Sequence, residues 1–198
     1  MYTKTNKDAP HILHLINKGW RGAEIGVWRG NTSMGFVEAG VSELHLVDPY
    51  SVVPYKESTE MSFQEYLAKY QKVTGEFSEA GFMRFYDSIH AMVVEKFKPF
   101  DHVQVHRMQS DEWFAANEGL DLDFIYVDGD HAYEGCLRDL ENSLKVVKSG
   151  GLLIGDDYYW PNSRWGKIGV TKAVNEFTDR NGFSMKRYGE TQFVIEVP

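Results

Sequence analysis

Two groups of residues suited to chemistry lie where apolar runs of this sequence end. In the first, the segment AEIGVWRGNTS at 23–33, Glu24 precedes Gly26 and Gly30. A glycine turn between a strand and a helix lets the backbone approach a ligand closely. Asp48 ends the next apolar run, where an acid typically accepts hydrogen bonds from ribose hydroxyls. Together these residues predict a site for a cofactor that contains a nucleoside.

The spacing of the first group disfavours a dinucleotide. It is E-x-G-x-x-x-G, whereas the G-x-G-x-x-G pattern places a pyrophosphate on a helix N-terminus. The additional carboxylate of Glu24 also suits a cationic tail better than a phosphorylated one. Taken singly, Gly26 and Gly30 are compatible with a plain tight turn, and Glu24 with a surface carboxylate.

The second group is acidic and follows two later apolar runs. Asp128-Gly129-Asp130-His131 follows one, and Gly155-Asp156-Asp157 follows the other. In a doubly wound sheet ordered 3-2-1-4-5 the two strands are neighbours, so Asp128, Asp156 and Asp157 are expected to converge. Their mutual repulsion would be relieved by a cation. All-oxygen ligands favour Mg²⁺, with Mn²⁺ or Ca²⁺ as alternatives, and the single cysteine disfavours zinc.

His131 lies three residues after Asp128, within reach of a substrate hydroxyl held beside that group. It is therefore a candidate general base. The alternative for His131 is a solvated loop histidine, and the alternative for the strand-end aspartates is capping of the following helices. Asp130 in particular is suited to cap the next helix.

Val-, Ile- and Leu-rich runs alternate with segments of helical period, which predicts an α/β fold with a parallel sheet covered on both faces. Gly150-Gly151 is expected to end the helix predicted at 133–147. Asn31 or Thr32 is expected to cap the helix predicted from residue 32. The last two strand-like runs are predicted to form an antiparallel hairpin. The strands are expected at 23–27, 44–47, 102–107, 124–127, 152–154, 183–188 and 192–197. Helices are expected from residue 32 and at 63–73, 87–97, 111–117, 133–147 and 170–179.

Composition narrows the classes of protein and partner. The chain has 198 residues, 42% of them hydrophobic, and a formal charge of −8. This length predicts a single domain over 1–198, with a helical insertion at about 50–99. The acidic balance disfavours nucleic acid, the lack of a long apolar run disfavours a membrane, and the one cysteine favours the cytoplasm. A small-molecule partner is expected, and self-association stays open.

The segments AEIGVWRGNTS, LHLVDPY, FIYVDGDHAYEGCLRDLENSLKVVKSGGLLIGDDY and WGKIGVTKAVNEF give the chain a family resemblance. It resembles the class I S-adenosylmethionine-dependent methyltransferases. Within them it is similar to the cation-dependent small-molecule O-methyltransferases of the macrocin O-methyltransferase-like group. The resemblance implies a Rossmann-like doubly wound sheet of seven strands, ordered 3-2-1-4-5-7-6 with strand 7 antiparallel.

The same resemblance implies roles for the site residues. Glu24, Gly26 and Gly30 would line the methionine part of S-adenosylmethionine, Asp48 would hold the ribose, and Ser110 falls where the family contacts adenine. Asp128, Asp156 and Asp157 match the metal-ligand positions, and His131 matches the position of the base. The implied activity is Mg²⁺-dependent methylation of a hydroxyl on a sugar or phenolic molecule. The alternative is an inactive cofactor-binding module or regulatory subunit.

Two regions are expected to select the acceptor: the aromatic loop at 158–165 and the insertion at 50–99. In the loop, Trp160, Arg164 and Trp165 are suited to stack on a ring or clamp an anion, or else to pack the loop against the domain. In the insertion, Phe63, Tyr66 and Tyr70 recur at helical spacing and are expected to belong to the core or to an interface rather than to a substrate site.

Overall fold

The computed structural model describes residues 11–56, 62–159 and 167–198. Its centre is a seven-stranded sheet in the order β3-β2-β1-β4-β5-β7-β6. Strands β1 to β5 are parallel, and β7 runs antiparallel to both β5 and β6. The predicted fold class, strand order and reversed last strand are confirmed. The strands are β1 (Arg21–Ile25), β2 (Glu43–Val47), β3 (Val103–His106), β4 (Leu122–Val127), β5 (Val147–Gly155), β6 (Met185–Tyr188) and β7 (Gln192–Glu196).

Helices connect the strands, after a short 3-10 turn at Leu13–Leu15. The described residues of the region at 50–99 form three helices, whereas its sequence predicts two; the short helix at Val53–Lys56 is the additional one. No helix among the described residues is long and apolar enough to cross a membrane. The helices are α1 (Asn31–Ala39), α2 (Val53–Lys56), α3 (Phe63–Thr74), α4 (Glu79–Phe97), α5 (Ser110–Ala116), α6 (Tyr133–Ser143) and α7 (Ile168–Asn181).

The apolar strands are buried because helices cover both faces of the sheet. On one face Phe36 of α1 and Phe82 of α4 pack with Phe124 of β4, and all three side chains are fully buried. On the other face Trp113 of α5 and Phe177 of α7 are equally buried. Burying an apolar side chain of this size stabilises a fold by about 1.5–3 kcal/mol. The two layers therefore hold the carboxyl ends of the strands in a fixed register.

The boundary between α6 and β5 corrects the sequence prediction. The helix was expected to continue to residue 147 and to stop at Gly150-Gly151, but it ends at Ser143 and β5 begins at Val147. The register along β4 shifts from Leu122 opposite Val147 to Phe124 opposite Leu152, so the glycines lie within an irregular strand. Val147 is buried in the sheet core, and this tertiary packing outweighs the helical spacing of the segment.

Two helices of the insertion, α3 and α4, begin at side-chain caps. Ser62 and Glu65 form a capping box at α3, in which each side chain accepts a hydrogen bond from the other residue's backbone N–H. The hydroxyl of Ser78 accepts from Gly81 N at 3.1 Å, so α4 begins eight residues before the predicted residue 87. Tyr66 is buried and Phe63 and Tyr70 pack against the same core, as predicted.

A buried carboxyl group lies between α5 and α6. Asp139 of α6 is only 2% exposed, and Ser110 Oγ of α5 donates to its Oδ1 at 2.6 Å. Burial raises the pKa of Asp139 to about 7, although the Ser110 hydrogen bond opposes this shift. The folded protein therefore favours the neutral acid.

This shift makes the stability of the fold depend on pH. The unfolded carboxyl ionises near pH 4, so the free energy of unfolding is expected to fall as pH rises from about 4 to about 7. Asp139→Asn cannot ionise, and its amide oxygen still accepts from Ser110. At pH 8 we expect the variant to be more stable than the wild type by roughly 1–4 kcal/mol in urea unfolding.

The matched control is Asp179→Asn on the exposed face of α7, which should keep the wild-type pH dependence. A destabilised Asp139→Asn protein at pH 8, or one whose stability still declines between pH 4 and 7 as the wild type does, would contradict this account.

Candidate active site

The turn after β1 has an unusual backbone. Gly26, Trp28 and Gly30 have positive φ angles of 87°, 51° and 65°. A Cβ on Gly26 would lie 2.1 Å from the carbonyl oxygen of Asp128, and one on Gly30 would lie 2.5 Å from the ring of Phe97. Both positions thus require glycine for close approach as well as for conformation.

Asp48, at the end of β2, holds this turn from one side. Its Oδ2 accepts from Val27 N at 3.1 Å and Trp28 N at 2.9 Å, and its Oδ1 accepts from Tyr50 N at 2.8 Å. Burial raises the pKa of Asp48, and the three backbone hydrogen bonds oppose the rise. The predicted acid therefore lies beside the glycine turn.

Glu24 lies in β1 below the turn and is 1% exposed. It accepts a hydrogen bond from Ser33 Oγ of α1. Burial raises its pKa well above the ordinary range, and the charges of Asp128 and Asp48 raise it further. Glu24 is thus a buried carboxyl group at the base of the turn, which excludes the surface alternative.

The start of α1 differs from the prediction that Asn31 or Thr32 would cap it. The N-cap is Gly30, which makes no side-chain cap, and both predicted residues lie inside the helix. The left-handed conformation of Gly30 brings the chain into the helix one residue earlier than the pattern of capping side chains indicated.

A second cluster lies at the ends of β4 and β5. Asp128, His131 and Asp157 bring one ligand atom each within 4.8 Å of one another. His131 Nε2 lies 3.4 Å from Asp128 Oδ1 and 3.2 Å from Asp157 Oδ2. The imidazole is 40% exposed and the Asp157 side chain 18%, so the cluster is open to solvent on the histidine side. The structure thus brings together the predicted base and two of the predicted carboxylates.

The residues of this cluster shift one another's pKa values. Burial raises the pKa of Asp128 to about 6, the hydrogen bond and charge of His131 oppose this, and Asp156 and Asp157 add to it. Burial lowers the pKa of His131, but the hydrogen bond and charge of Asp128 and the charge of Asp157 outweigh it, so the net pKa is raised. Burial also raises the pKa of Asp157, against the charges of His131 and Lys167.

Asp156 corrects the expectation that three carboxylates converge. Its Oδ1 accepts from Thr191 Oγ1 and from Asp157 N at 2.7 Å, and its Oδ2 accepts from Tyr126 OH at 3.1 Å and Gln192 Nε2 at 3.5 Å. Apart from the Asp157 N–H, these donors come from β4 and from the hairpin of β6 and β7. They hold the Asp156 carboxylate away from His131, outside the cluster.

Two other predicted residues make local contacts. Asp130 Oδ1 accepts from Ala132 N at 2.9 Å, so it shapes the turn into α6, while Ala132 is the N-cap. Ser110, the predicted adenine contact, donates its hydroxyl to Asp139 and begins α5. Three residues predicted to select the acceptor, Trp160, Arg164 and Trp165 of the aromatic loop at 158–165, lie outside the described residues.

Sequence reasoning missed a residue that contacts the glycine turn. Lys96 of α4 donates from Nζ to Arg29 O at 2.9 Å, to Gly30 O at 2.7 Å and to Asn31 Oδ1 at 3.2 Å. Its partners are more than sixty positions away in the chain. No local pattern could have identified this contact, because only the packing of α4 against α1 creates it.

The sheet order, the glycine turn after β1 and the acid after β2 define the Rossmann-like methyltransferase class. A family described as a methyltransferase domain matches residues 23–158, which is more than half of the chain. The chain therefore belongs to this methyltransferase domain family. A search of curated protein sequences finds no match.

Solved structures share the fold at low sequence identity. A protein described as an rRNA methylase from Clostridium thermocellum has a TM-score of 0.61 and 11% identity, covering 100% of this chain and 99% of its own. An O-methyltransferase from Bacillus cereus in complex with S-adenosylhomocysteine has a TM-score of 0.60 and 13% identity, covering 98% of this chain and 82% of its own. Aeropyrum pernix fibrillarin with bound S-adenosylmethionine has a TM-score of 0.55 and 11% identity, covering 91% of this chain and 66% of its own. These structures confirm the predicted fold, and the family match confirms the predicted class of methyltransferase.

The close approach of the glycine turn to β4 can be tested by substitution. Gly26→Ala forces a side chain into a positive φ and against the backbone of Asp128. Gly75→Ala is the matched control, because Gly75 has φ 72° but nothing lies within 4 Å of its Cβ position. Each substitution carries the conformational cost of about 1 kcal/mol. We expect Gly26→Ala to cost at least about 2 kcal/mol more in denaturant unfolding, since the collision adds to it. Equal costs for the two variants would show that the collision is not real.

Proposed function

We propose that the protein transfers a methyl group from S-adenosylmethionine to a hydroxyl of a small molecule. The observation that supports this most strongly is the contact between two groups of residues. The Gly26 turn touches the backbone of Asp128, and Asp128 N donates to Ile25 O at 2.8 Å. A cofactor over the turn would therefore lie beside the cluster of Asp128, His131 and Asp157.

In this proposal the residues after β1 and β2 bind the cofactor. Gly26 and Gly30 give the methionine part access to the backbone, with Glu24 beneath it. A carboxylate offers about four acceptor positions. Asp48 uses three of them on backbone N–H groups, which leaves one for a ribose hydroxyl. A cationic sulfonium ligand would favour the ionised forms of these buried carboxyl groups, which would in turn attract it.

Ser110 is the proposed adenine contact. It begins α5 shortly after β3, where the family resemblance places that contact. Its hydroxyl donates to Asp139, so it would act on adenine through its oxygen as an acceptor or through its backbone.

The chemistry of the second cluster suits a divalent cation. Two carboxylates and an imidazole lie within ligand distance of one another, and burial raises the pKa of Asp128, with the charge of Asp157 adding to the rise and His131 opposing it. Carboxylate oxygens favour Mg²⁺, and the nearby imidazole also admits Mn²⁺. Asp128 and Asp157 would hold the ion, while Asp156 would have to release its present donors to join them. Such an ion supplies Lewis acidity that lowers the pKa of an acceptor hydroxyl.

His131 is the proposed general base. Its Nε2 would take the proton from the acceptor hydroxyl as the oxygen forms a bond to the methyl carbon. The carbon–sulfur bond breaks in line with this attack, and its electron pair stays on the sulfur of S-adenosylhomocysteine. The carboxylates of Asp128 and Asp157 orient the imidazole and stabilise the imidazolium that forms.

The charge of the chain favours a small acceptor. Relatives of this fold include a protein described as an rRNA methylase and one described as an O-methyltransferase, so the fold alone does not set the acceptor. Binding to a nucleic-acid backbone depends on clustered Lys and Arg, whereas this chain has a formal charge of −8. The catalytic cluster in turn favours an enzyme over an inactive cofactor-binding module.

Substitution of the proposed base tests the activity. The assay is transfer of a labelled methyl group from S-adenosylmethionine to a panel of phenols and sugars. For an acceptor methylated by the wild type, we expect His131→Gln and Asp128→Asn each to lower turnover by about 10²–10⁴-fold. Binding of S-adenosylhomocysteine should change little, because neither side chain lies in the glycine turn.

The control is Asp130→Asn in the same loop, which keeps an acceptor for Ala132 N and should retain turnover. Unchanged turnover in His131→Gln would exclude this histidine as the base. Binding of S-adenosylhomocysteine without transfer to any acceptor, including RNA, would support the inactive module, and transfer to RNA alone would overturn the small-molecule assignment.

Metal binding is testable without an acceptor. We expect the wild type to bind Mn²⁺ in calorimetry, and Asp157→Asn to weaken this binding by about tenfold or more through loss of a charged ligand. Asp179→Asn is the exposed control and should bind as the wild type does. Mn²⁺ affinity that is the same in all three proteins would remove the ion from the proposal, as would full transfer activity in EDTA.

A further inference from the structure

The ammonium group of Lys96 is placed on the carbonyl side of the glycine turn. Lys96 belongs to the last turn of α4, and its Nζ donates to Arg29 O, Gly30 O and Asn31 Oδ1 at 2.7–3.2 Å. A lysine ammonium has three donor hydrogens, so these contacts can use all of them. Hydrogen bonds from a charged donor are stronger than neutral ones.

Asp48 makes the opposite set of contacts with the same turn. Its carboxylate accepts from the backbone N–H groups of Val27 and Trp28. An anion thus binds the N–H groups of the first half of the turn, and a cation binds the carbonyl groups of the second half. Because a residue with left-handed conformation other than glycine carries a conformational cost, the Trp28 backbone needs such support.

Helix α4 lies along the turn at further points. The Phe97 ring is packed against Gly30, as its close approach to the Cβ position shows. The rings of Phe85 and Tyr86 lie 5.7 Å and 6.2 Å from the Trp28 ring, between centroids. Lys96 is therefore a polar contact beside apolar contacts between α4 and the turn.

The position of Lys96 is not explained by stabilisation of α1. A cation near a helix N-terminus interacts unfavourably with the helix dipole, and Lys96 lies against the residues that begin α1. Its charge also acts on buried Glu24, whose pKa is raised by burial and lowered by Lys96. The lysine charge therefore acts on the carbonyl groups of the turn and on the carboxyl group of Glu24 beneath it.

We propose that Lys96 is a positioning residue for cofactor binding. By holding the carbonyl groups of Arg29 and Gly30 towards α4, it fixes the conformation in which the turn receives the cofactor. The inference rests on the proposed function, in which this turn binds S-adenosylmethionine. It adds that an interaction from the insertion at 50–99 sets the affinity for the cofactor.

Calorimetry with S-adenosylhomocysteine tests the role of Lys96. We expect Lys96→Met to weaken binding by about 10-fold or more, the size expected for loss of charged hydrogen bonds. Lys96→Arg keeps a charged donor that can reach two carbonyl groups, so it should restore binding to within about threefold of the wild type. Lys98→Met, two residues further on and paired with exposed Glu95, is the control and should bind normally.

The comparison also separates positioning from general destabilisation. Melting temperatures are measured for every variant, and binding is compared well below the lowest of them. If Lys96→Met does not fold, Lys96→Gln, which keeps uncharged N–H donors, takes its place with the same expected weakening.

Wild-type affinity in Lys96→Met would overturn the inference, as would equal weakening in Lys96→Met and Lys98→Met or a failure of Lys96→Arg to restore binding. If the wild type itself does not bind S-adenosylhomocysteine, the proposed function fails, and the role of Lys96 fails with it. A wild type that binds while Lys96→Met binds equally well contradicts the lysine assignment alone.

Discussion

The close approach of Gly26 to the end of β4 is the constraint on which the rest of the site depends. Asp128 N bonds to Ile25 O and Gly26 N to Val47 O, at 2.8 Å and 2.9 Å, so three strand ends are joined just where the turn begins. Since a Cβ on Gly26 would collide with the Asp128 carbonyl, the two loops can touch only with glycine there. This contact places the proposed cofactor turn beside the proposed base and its carboxylates.

Buried carboxyl groups are concentrated at this edge of the sheet. Burial raises the pKa values of Glu24, Asp48 and Asp128. Neighbouring carboxylates raise the pKa values of Glu24 and Asp128 further, and hydrogen bonds oppose the rise in all three. A fold keeps such groups together only when cations or donors compensate them. Lys96 supplies one charge and the backbone amides supply several donors. A sulfonium cofactor and a divalent ion would supply the remainder in the proposed reaction.

The sequence predicted the parts of this arrangement that depend on local pattern. Apolar runs ending in Asp48, Asp128 and Asp157 identified the strand ends, because fully buried parallel strands read as continuous apolar segments. The orientation of Asp156 was not predictable, since its donors Thr191 and Gln192 lie 35 and 36 positions further along the chain. The start of β5 and the contact of Lys96 with the turn likewise arise from tertiary packing, which no local spacing encodes.

A crystal structure of the protein with S-adenosylhomocysteine and Mn²⁺ tests the central claim most directly. The account predicts the homocysteine part over the Gly26 turn, a ribose hydroxyl at Asp48, and an anomalous peak for Mn²⁺ between Asp128 and Asp157, beside His131. S-adenosylhomocysteine bound away from the ends of β1 and β2, or a cofactor whose sulfur faces away from His131, would contradict the account, because the two clusters would then not form one active site.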